Sequence, residues 1–479
     1  MKNFLNNSFK KLVTQSFPIW IISVLFLLGF LLFNEKFEVI ISLIAISAVL
    51  IFIDKITDLG YLLILLVPLS IGVTLPGGLH ISLPSEGLII LLITISGLKV
   101  LNGLKLEIPI YTHPLSILLL LDLSWGLITS LTSEIPIVSI KRFLIKMLFI
   151  TCFFYLIPAL MKAVNGYKNL LFLYGVGLIL PIISTTYNHL QLGLSQENSL
   201  QVSLPFFDEH TVYAACITFL IPFFSFQIFK DSKFRFLNIA ILGLLFVGFF
   251  LSYSRASWLS LGVAIIVLVL IRIKVSIWIL ITSSILIGCI VLLNFSSVLQ
   301  KLENSSSKYN DDISTHFVSV TNLKDDASNL ERINRWVCAF RMFKDRPLQG
   351  YGPGTYQFVY DRFQTTEFMT RISTNTGNNG NAHSEYLMVL SESGLPGFLI
   401  LIGWVISSYY FAVTSYFASS SKQNKQLLLS IIIGLTTFYT HGIFNSFIDS
   451  NKMALLVYGS LGIITCLHQE IKNNELMRL

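Results

Sequence analysis

The sequence predicts an all-α polytopic membrane protein with about 12–14 transmembrane helices and one large, partly helical extracytoplasmic loop. Three observations lead there. Of the 479 residues, 54% are hydrophobic and only 12% are charged, about half the charged share of an ordinary soluble domain. Apolar runs of bilayer-spanning length recur almost throughout. Late in the chain, over 296–395, that pattern stops and a polar, Gly- and Asn-rich stretch replaces it.

The runs fall near 18–33, 38–53, 59–75, 86–101, 114–131, 140–160, 168–186, 209–229, 236–253, 257–271, 275–295, 396–417, 427–447 and 453–468. Their length suits helices, which satisfy their own backbone hydrogen bonds in lipid, better than barrel strands. Three regions follow: transmembrane helices over 1–295, an extracytoplasmic loop subdomain over 296–395, and C-terminal transmembrane helices over 396–479. Short-loop Lys and Arg orient the bundle. Lys2, Lys10, Lys11, Lys55, Lys99, Lys105, Lys162, Lys168, Lys230, Lys233, Arg235, Arg272, Lys274, Lys422, Lys425, Lys472 and Arg478 all fall on one side. That side is the cytoplasm, and both termini lie there. Lys141, Arg142 and Lys146 break the rule by sitting at the outer end of their span, and are read as a functional cationic site. Asp122, mid-span in Leu119-Leu120-Leu121-Asp122-Leu123, is either functional, as an intramembrane acid is by default, or bonded to a neighbouring helix.

Several classes lose support. The first apolar segment ends in Asn34-Glu35-Lys36 without a small-residue cleavage site, which reads as a retained anchor. Four of the five cysteines lie in or beside spans, so no disulfide framework is expected. The net charge of +7 is anchoring charge and gives no reason to expect nucleic acid. No internal repeat of fixed period is visible, which argues against an inverted-repeat transporter.

Within the loop, residues 294–328 are Ser-, Asn- and Asp-rich and irregular. Ile333, Trp336, Val337, Phe340 and Phe343 recur at helical spacing, predicting a helix over 329–343 that carries Arg332 and Arg335 on one face. Arg346-Pro347-Leu348-Gln349-Gly350-Tyr351-Gly352-Pro353-Gly354-Thr355-Tyr356 demands a tight turn. The Asn375–Asn381 stretch then leads to His383. A short helix over Ser384–Ser393 follows, broken at Gly394-Leu395-Pro396-Gly397 before the next span.

Candidate chemistry gathers on the predicted outer face. Arg255, in Ser252-Tyr253-Ser254-Arg255-Ala256-Ser257-Trp258, offers a guanidinium fork that matches phosphate oxygens. Arg332, Arg335, Arg341 and Arg346 surround the loop helix. Lys141 and Arg142 add cations. His383, beside Glu385 and Tyr386, titrates near neutrality, as a base for a hydroxyl should. Asp208 and His210 open one span at that face. His441, Asn445 and Asp449 are spaced to share one helical face near Lys452. No spacing suits a zinc site, and neither metal nor cofactor is expected. Glycosyl transfer from a polyprenyl diphosphate would unite these parts. Its tail lies in lipid, its diphosphate at the interface with the arginines, and its sugars in water. The arginines stabilise the leaving charge while a base activates the acceptor hydroxyl. Solute or anion transport is the reading from another class, with Asp122 as its main internal candidate.

Ser254-Arg255-Ala256, the Arg332–Trp336 helix with Pro347…Gly350-Tyr351-Gly352-Pro353-Gly354, and His383-Ser384-Glu385-Tyr386-Leu387…Glu392-Ser393-Gly394-Leu395-Pro396-Gly397 together resemble the O-antigen ligase and polymerase superfamily. Asp208-Glu209-His210-Thr211-Val212-Tyr213 is similar to O-antigen ligase-like proteins of Bacteroidetes-type bacteria. The likeness covers roughly 200–465; before that only hydropathy matches. It implies an all-helical, lipid-phosphosugar-using membrane glycosyltransferase. The expected partners are an undecaprenyl-diphosphate-linked glycan donor, a lipid A–core or other glycan acceptor, and membrane lipids. The expected place is the bacterial cytoplasmic (inner) membrane, with the active site facing the periplasm. Ligases of the family move a polysaccharide to lipid A–core, whereas polymerases extend the chain on its carrier. By this resemblance His383 matches the acceptor-activating histidine, Arg255 the arginine of the outer turn, and Arg332 or Arg335 the loop arginine near the diphosphate. Ser384-Glu385 stand where Asn commonly follows that histidine.

Overall fold

The computed structural model describes residues 55–75, 79–103, 111–164, 166–229, 235–276, 327–364 and 380–476. The spans expected at 18–33 and 38–53 lie outside the described residues, as do 277–295 of the span expected at 275–295 and most of the irregular stretch 294–328. In chain order come α1 (Ile56–Leu66), β1 (Ile71–Leu75), β2 (Leu79–Leu83), α2 (Ser85–Leu101) and α3 (Pro114–Leu131). Then follow α4 (Pro136–Ala163), α5 (Lys168–Leu192), α6 (His210–Ile228), α7 (Arg235–Leu251) and α8 (Arg255–Arg272). The loop helix is α9 (Ala327–Asp345), and α10 (Glu385–Ala418), α11 (Lys422–His441) and α12 (Asn451–Leu476) complete the chain. Among the described residues, seven helices are long and apolar enough to cross a bilayer: α3, α4, α5, α6, α8, α10 and α12. The protein is an all-α polytopic membrane protein.

One expected span is different. The run 59–75 is helical only to Leu66, with a 3-10 turn over Val67–Leu69, and then becomes strand β1. Pro68 lacks the N–H that would continue the ladder. Ile71, Val73 and Leu75 then alternate with Gly72 and Thr74, the period of a strand. β1 pairs antiparallel with β2, Ile71 opposite Leu83 and Val73 opposite Ile81.

The most buried layer is formed by α6, α11 and α12. Phe219, Phe223 and Phe224 of α6 pack in one core with Leu428 and Ile432 of α11 and Leu455 and Ile464 of α12. In α4 the residues Ile150–Leu156 form a π-turn. Pro158 withholds the N–H that a regular ladder would direct at Phe154, and the wider turn absorbs the defect. It also brings the Tyr155 hydroxyl within 2.6 Å of Ser116 Oγ on α3. Asp122 of α3 is not a solitary membrane acid: Lys146 Nζ of α4 lies 2.7 Å from its carboxylate.

α10 is two helical pieces joined by a break. Gly394 has φ +66° and ψ −169°, backbone that favours glycine. The 346–356 turn plugs into that break. Leu395 N–H donates to Pro347 O at 2.8 Å, Tyr351 N–H to Ser391 O at 3.1 Å, and Gly352 N–H to Glu392 O at 2.8 Å. A Cβ on Gly394 would fall 2.5 Å from the Leu348 carbonyl carbon, so the close approach needs glycine. The same turn reaches the α3–α4 corner, where Glu134 N–H donates to Tyr351 O at 3.1 Å. The loop is thereby fastened to the bundle on two sides.

Candidate functional site

His383 sits one residue before the N-cap of α10. Ser384 Oγ accepts the Leu387 N–H, and Asn381 Oδ1 accepts the His383 N–H at 2.9 Å. Between these anchors His383 takes φ +45°, a left-handed conformation costing roughly 1 kcal/mol or more for a non-glycine residue. Such strain persists only where surroundings fix it, and they do: Trp336 Nε1 of α9 donates to the His383 carbonyl at 3.2 Å. Burial, then the charges of Arg335 and Arg332, push the imidazole down to about 3. Near neutral pH the ring is uncharged and keeps a lone pair.

The two loop arginines have different environments. Arg335 is buried; its Nε donates to Glu331 Oε1 at 2.7 Å, and its Nη1 donates to Asn381 O at 3.1 Å. Its guanidinium also lies 5.1 Å from the Tyr360 ring centroid. Gly380 packs against this guanidinium, where a Cβ would fall 2.5 Å from Cζ. Arg332 is half-buried and within electrostatic reach of three histidines, His210, His383 and His441. It is the charge these rings share.

Arg255 stands exposed as the first residue of α8. Its turn is joined to the same cluster. Ser254 caps α8 through the Ser257 N–H, Ser257 Oγ donates to Ser254 Oγ at 3.1 Å, and His441 Nδ1 lies 3.4 Å from Ser257 Oγ.

Beside the cluster opens a cleft of about 320 Å³, bordered by Arg142, Asp208, Glu209, Asn381, Asp449 and Lys452. Arg142 Nη2 pairs with Asp449 Oδ2 at 2.6 Å, with both side chains about one-third exposed. Lys452 is committed inward: its Nζ donates to the carbonyls of Phe206 and of Ser70, the latter at 3.0 Å, and lies 4.5 Å from the Phe207 ring centroid. Asn381 touches both regions, by lining the cleft and by receiving Arg335.

Other sequence candidates are placed elsewhere or serve the framework. Lys141 is exposed on α4 and does not line the cleft. Arg346 pairs with Glu134 at 3.2 Å and packs on Tyr351, holding the turn to the α3–α4 corner. Arg341 Nη1 donates to Phe363 O at 3.0 Å within the loop. Glu385 is buried, and its carboxylate accepts the N–H groups of Phe447 and Ile448, the latter at 2.6 Å. Tyr386 donates to Tyr439 O at 3.0 Å. His441, Asn445 and Asp449 do not share a helical face: α11 ends at His441, and the chain turns before α12 begins at Asn451. The Glu385 carboxylate holds that turn.

Glu392 stood in the sequence motif without a role assigned to it. It is buried, and its two carboxylate oxygens accept the Gly354 and Tyr356 N–H groups, both at 2.9 Å. Its signal was an acid seven residues after Glu385, on the same helical face, immediately before a Gly–Pro break. Gly380 was equally hidden, one glycine in an Asn/Gly run with nothing to mark it as the neighbour of Arg335.

Residues 240–402, from α7 through the loop into α10, match the family model described as O-antigen ligase. The match places this region in the O-antigen ligase and polymerase superfamily, and a membrane glycosyltransferase-like enzyme is the general class that follows. No curated protein matches the chain.

Proposed function

We propose that the protein is an O-antigen ligase-type glycosyltransferase. It moves a glycan from an undecaprenyl-diphosphate donor to a hydroxyl of lipid A–core or another glycan acceptor, at the periplasmic face of the cytoplasmic membrane. The observation that carries this reading is His383, fixed by Asn381 and Trp336 just before α10 and within electrostatic reach of Arg335 and Arg332. A base and a paired cation site are the two requirements of this reaction, and 296–395 is the loop subdomain that supplies them.

In the proposed reaction the acceptor oxygen attacks the anomeric carbon. The bond from that carbon to the diphosphate oxygen breaks, and its electron pair leaves with the diphosphate. The acceptor's proton passes to His383. Arg332, with Arg335 behind it and Arg255 on the neighbouring turn, faces the diphosphate and stabilises the charge that grows on it. Electrostatics links the two roles. The same arginines that hold the diphosphate depress His383 in the free protein. A bound anion offsets their charge, so His383 becomes more basic when substrate is present. Proton uptake by His383 and charge growth on the leaving group then favour each other. Arg142 and Asp449 line the cleft where glycan would lie.

Proteoliposomes loaded with a polyprenyl-diphosphate-linked glycan test the reading. His383→Ala and Arg332→Ala are expected to abolish transfer while the protein stays inserted and folded, and full transfer by both variants would refute the site. Supplying lipid A–core in one arm and a lipid-linked single repeat in the other separates a ligase from a polymerase with the same donor.

A further inference from the structure

His441 is 1% exposed and Asn445 4% exposed, and each keeps a polar atom without a hydrogen-bond partner among the described residues. These atoms are His441 Nε2 and Asn445 Nδ2. Buried polar groups are nearly always bonded, so each such exception needs a reason. The neighbours fix the protonation of the ring. Ser257 Oγ gives its own proton to Ser254 Oγ, so toward His441 Nδ1 it can only accept. In the neutral ring the proton is therefore on Nδ1, and Nε2 is a bare lone pair. The Phe447 ring, 5.0 Å away edge-to-face, holds the imidazole in place. An acceptor at His441 and an N–H donor at Asn445 thus lie in one short stretch where α11 ends, four residues apart.

We propose that His441 Nε2 and Asn445 Nδ2 form a subsite for a carbohydrate hydroxyl, one that donates to the imidazole and accepts from the amide. A hydroxyl is a small neutral group with both capacities. Arg332, within electrostatic reach of His441, joins the subsite to the proposed diphosphate position. The inference rests on the lipid-linked glycan reading above. The hydroxyl comes either from the first sugar of the donor or from the acceptor sugar.

Two substitutions separate the ring's ends. His441→Asn keeps an amide N–H near Ser257 and removes the group at Nε2. His441→Gln carries its amide to the Nε2 position and gives up Nδ1. Asn445→Leu removes the donor while keeping the bulk. Binding to detergent-purified full-length protein would be measured for bare polyprenyl diphosphate, polyprenyl-diphosphate-linked glycan and free acceptor glycan. His441→Asn and Asn445→Leu are expected to weaken a glycan-bearing ligand about tenfold, the size of one lost hydrogen bond with its partner left buried. Bare polyprenyl diphosphate should bind as before, and His441→Gln should retain the glycan preference. Loss in the donor arm assigns the donor sugar, and loss in the acceptor arm assigns the acceptor sugar. Equal weakening of bare polyprenyl diphosphate, or unchanged binding in both glycan arms (a structural water only), would overturn the subsite. A wild-type protein that binds neither diphosphate lipid refutes the proposed function instead, and the subsite is then judged on free glycan alone.

Discussion

Gly380→Ala tests whether Arg335 works from one fixed position. The new Cβ would fall 2.5 Å from Arg335 Cζ, against an ordinary carbon contact of about 3.5 Å. Its Nη1 would lie closer still, 1.6 Å from the new Cβ, so the guanidinium must retreat by about 2 Å. It has little room to do so, being 8% exposed and tied to Glu331 at 2.7 Å and Asn381 O at 3.1 Å. Loss of the charge-assisted bond to Asn381 costs about 1.5–3 kcal/mol. Under the proposed role of Arg335 beside the leaving diphosphate, a displacement of about 1 Å or more lowers turnover by at least about 100-fold. Initial rates of polyprenyl diphosphate release from proteoliposomes measure this, with helix content followed by circular dichroism. The double variant with Arg335→Ala completes a cycle: if Gly380→Ala acts through Arg335, the pair is no worse than Arg335→Ala alone. A rate within about threefold of wild type, or two fully additive losses, would refute the reasoning.

Three further outcomes are expected. Glu392→Ala leaves the buried Gly354 and Tyr356 N–H groups without their acceptor, at about 1–3 kcal/mol each; its melting midpoint in detergent falls well below that of Glu392→Gln, which keeps one oxygen. His383 is held down to about 3 in the fold against about 6.5 in the unfolded chain. Below about pH 6.5 the unfolded chain therefore takes up a proton that the folded site refuses, and stability falls through that window but not above it. Denaturation of wild type and His383→Gln across pH 4–8 should show the loss that sets in below about pH 6.5 absent in the variant. Asp449→Asn releases Arg142 from its ion pair, so affinity for polyprenyl diphosphate at low ionic strength should rise if Arg142 lies on the donor's path, and fall back as salt is added.

The fold was legible wherever backbone chemistry spoke alone. The break in α10 is written in Gly394-Leu395-Pro396-Gly397, and the loop turn in Gly350, Gly352 and Gly354, all of which take positive φ. The strand at Ile71–Leu75 was harder, because averaging hydropathy over a bilayer-length window erases an alternation five residues long. At the site, the Arg332/Arg335 pair and His383 could be named from residue type and order, and the fold brings them together. Their roles could not be ranked. Arg332 and Arg335 differ only in tertiary surroundings, since Gly380, Asn381 and Tyr360 enclose one and three histidines gather around the other. The 441–449 spacing suggested a helical face because sequence periodicity does not reveal where α11 stops. The turn that follows is held by a carboxylate 62 residues away, Glu385, which accepts the Phe447 N–H.

The seating of the 346–356 turn in the α10 break also limits how such a protein can be recombined. The turn and the break meet as lock and key: Pro347 with Leu395, Gly350 and Gly352 with Glu392, Leu348 with Gly394. A chimera that swaps the loop for another's, joined at the start of the following span, would pair a foreign turn with a native break. The exchangeable unit must run through residue 397 and keep the α3–α4 corner that receives Tyr351. Moving the loop between relatives is therefore a question of moving a joint, not a lid.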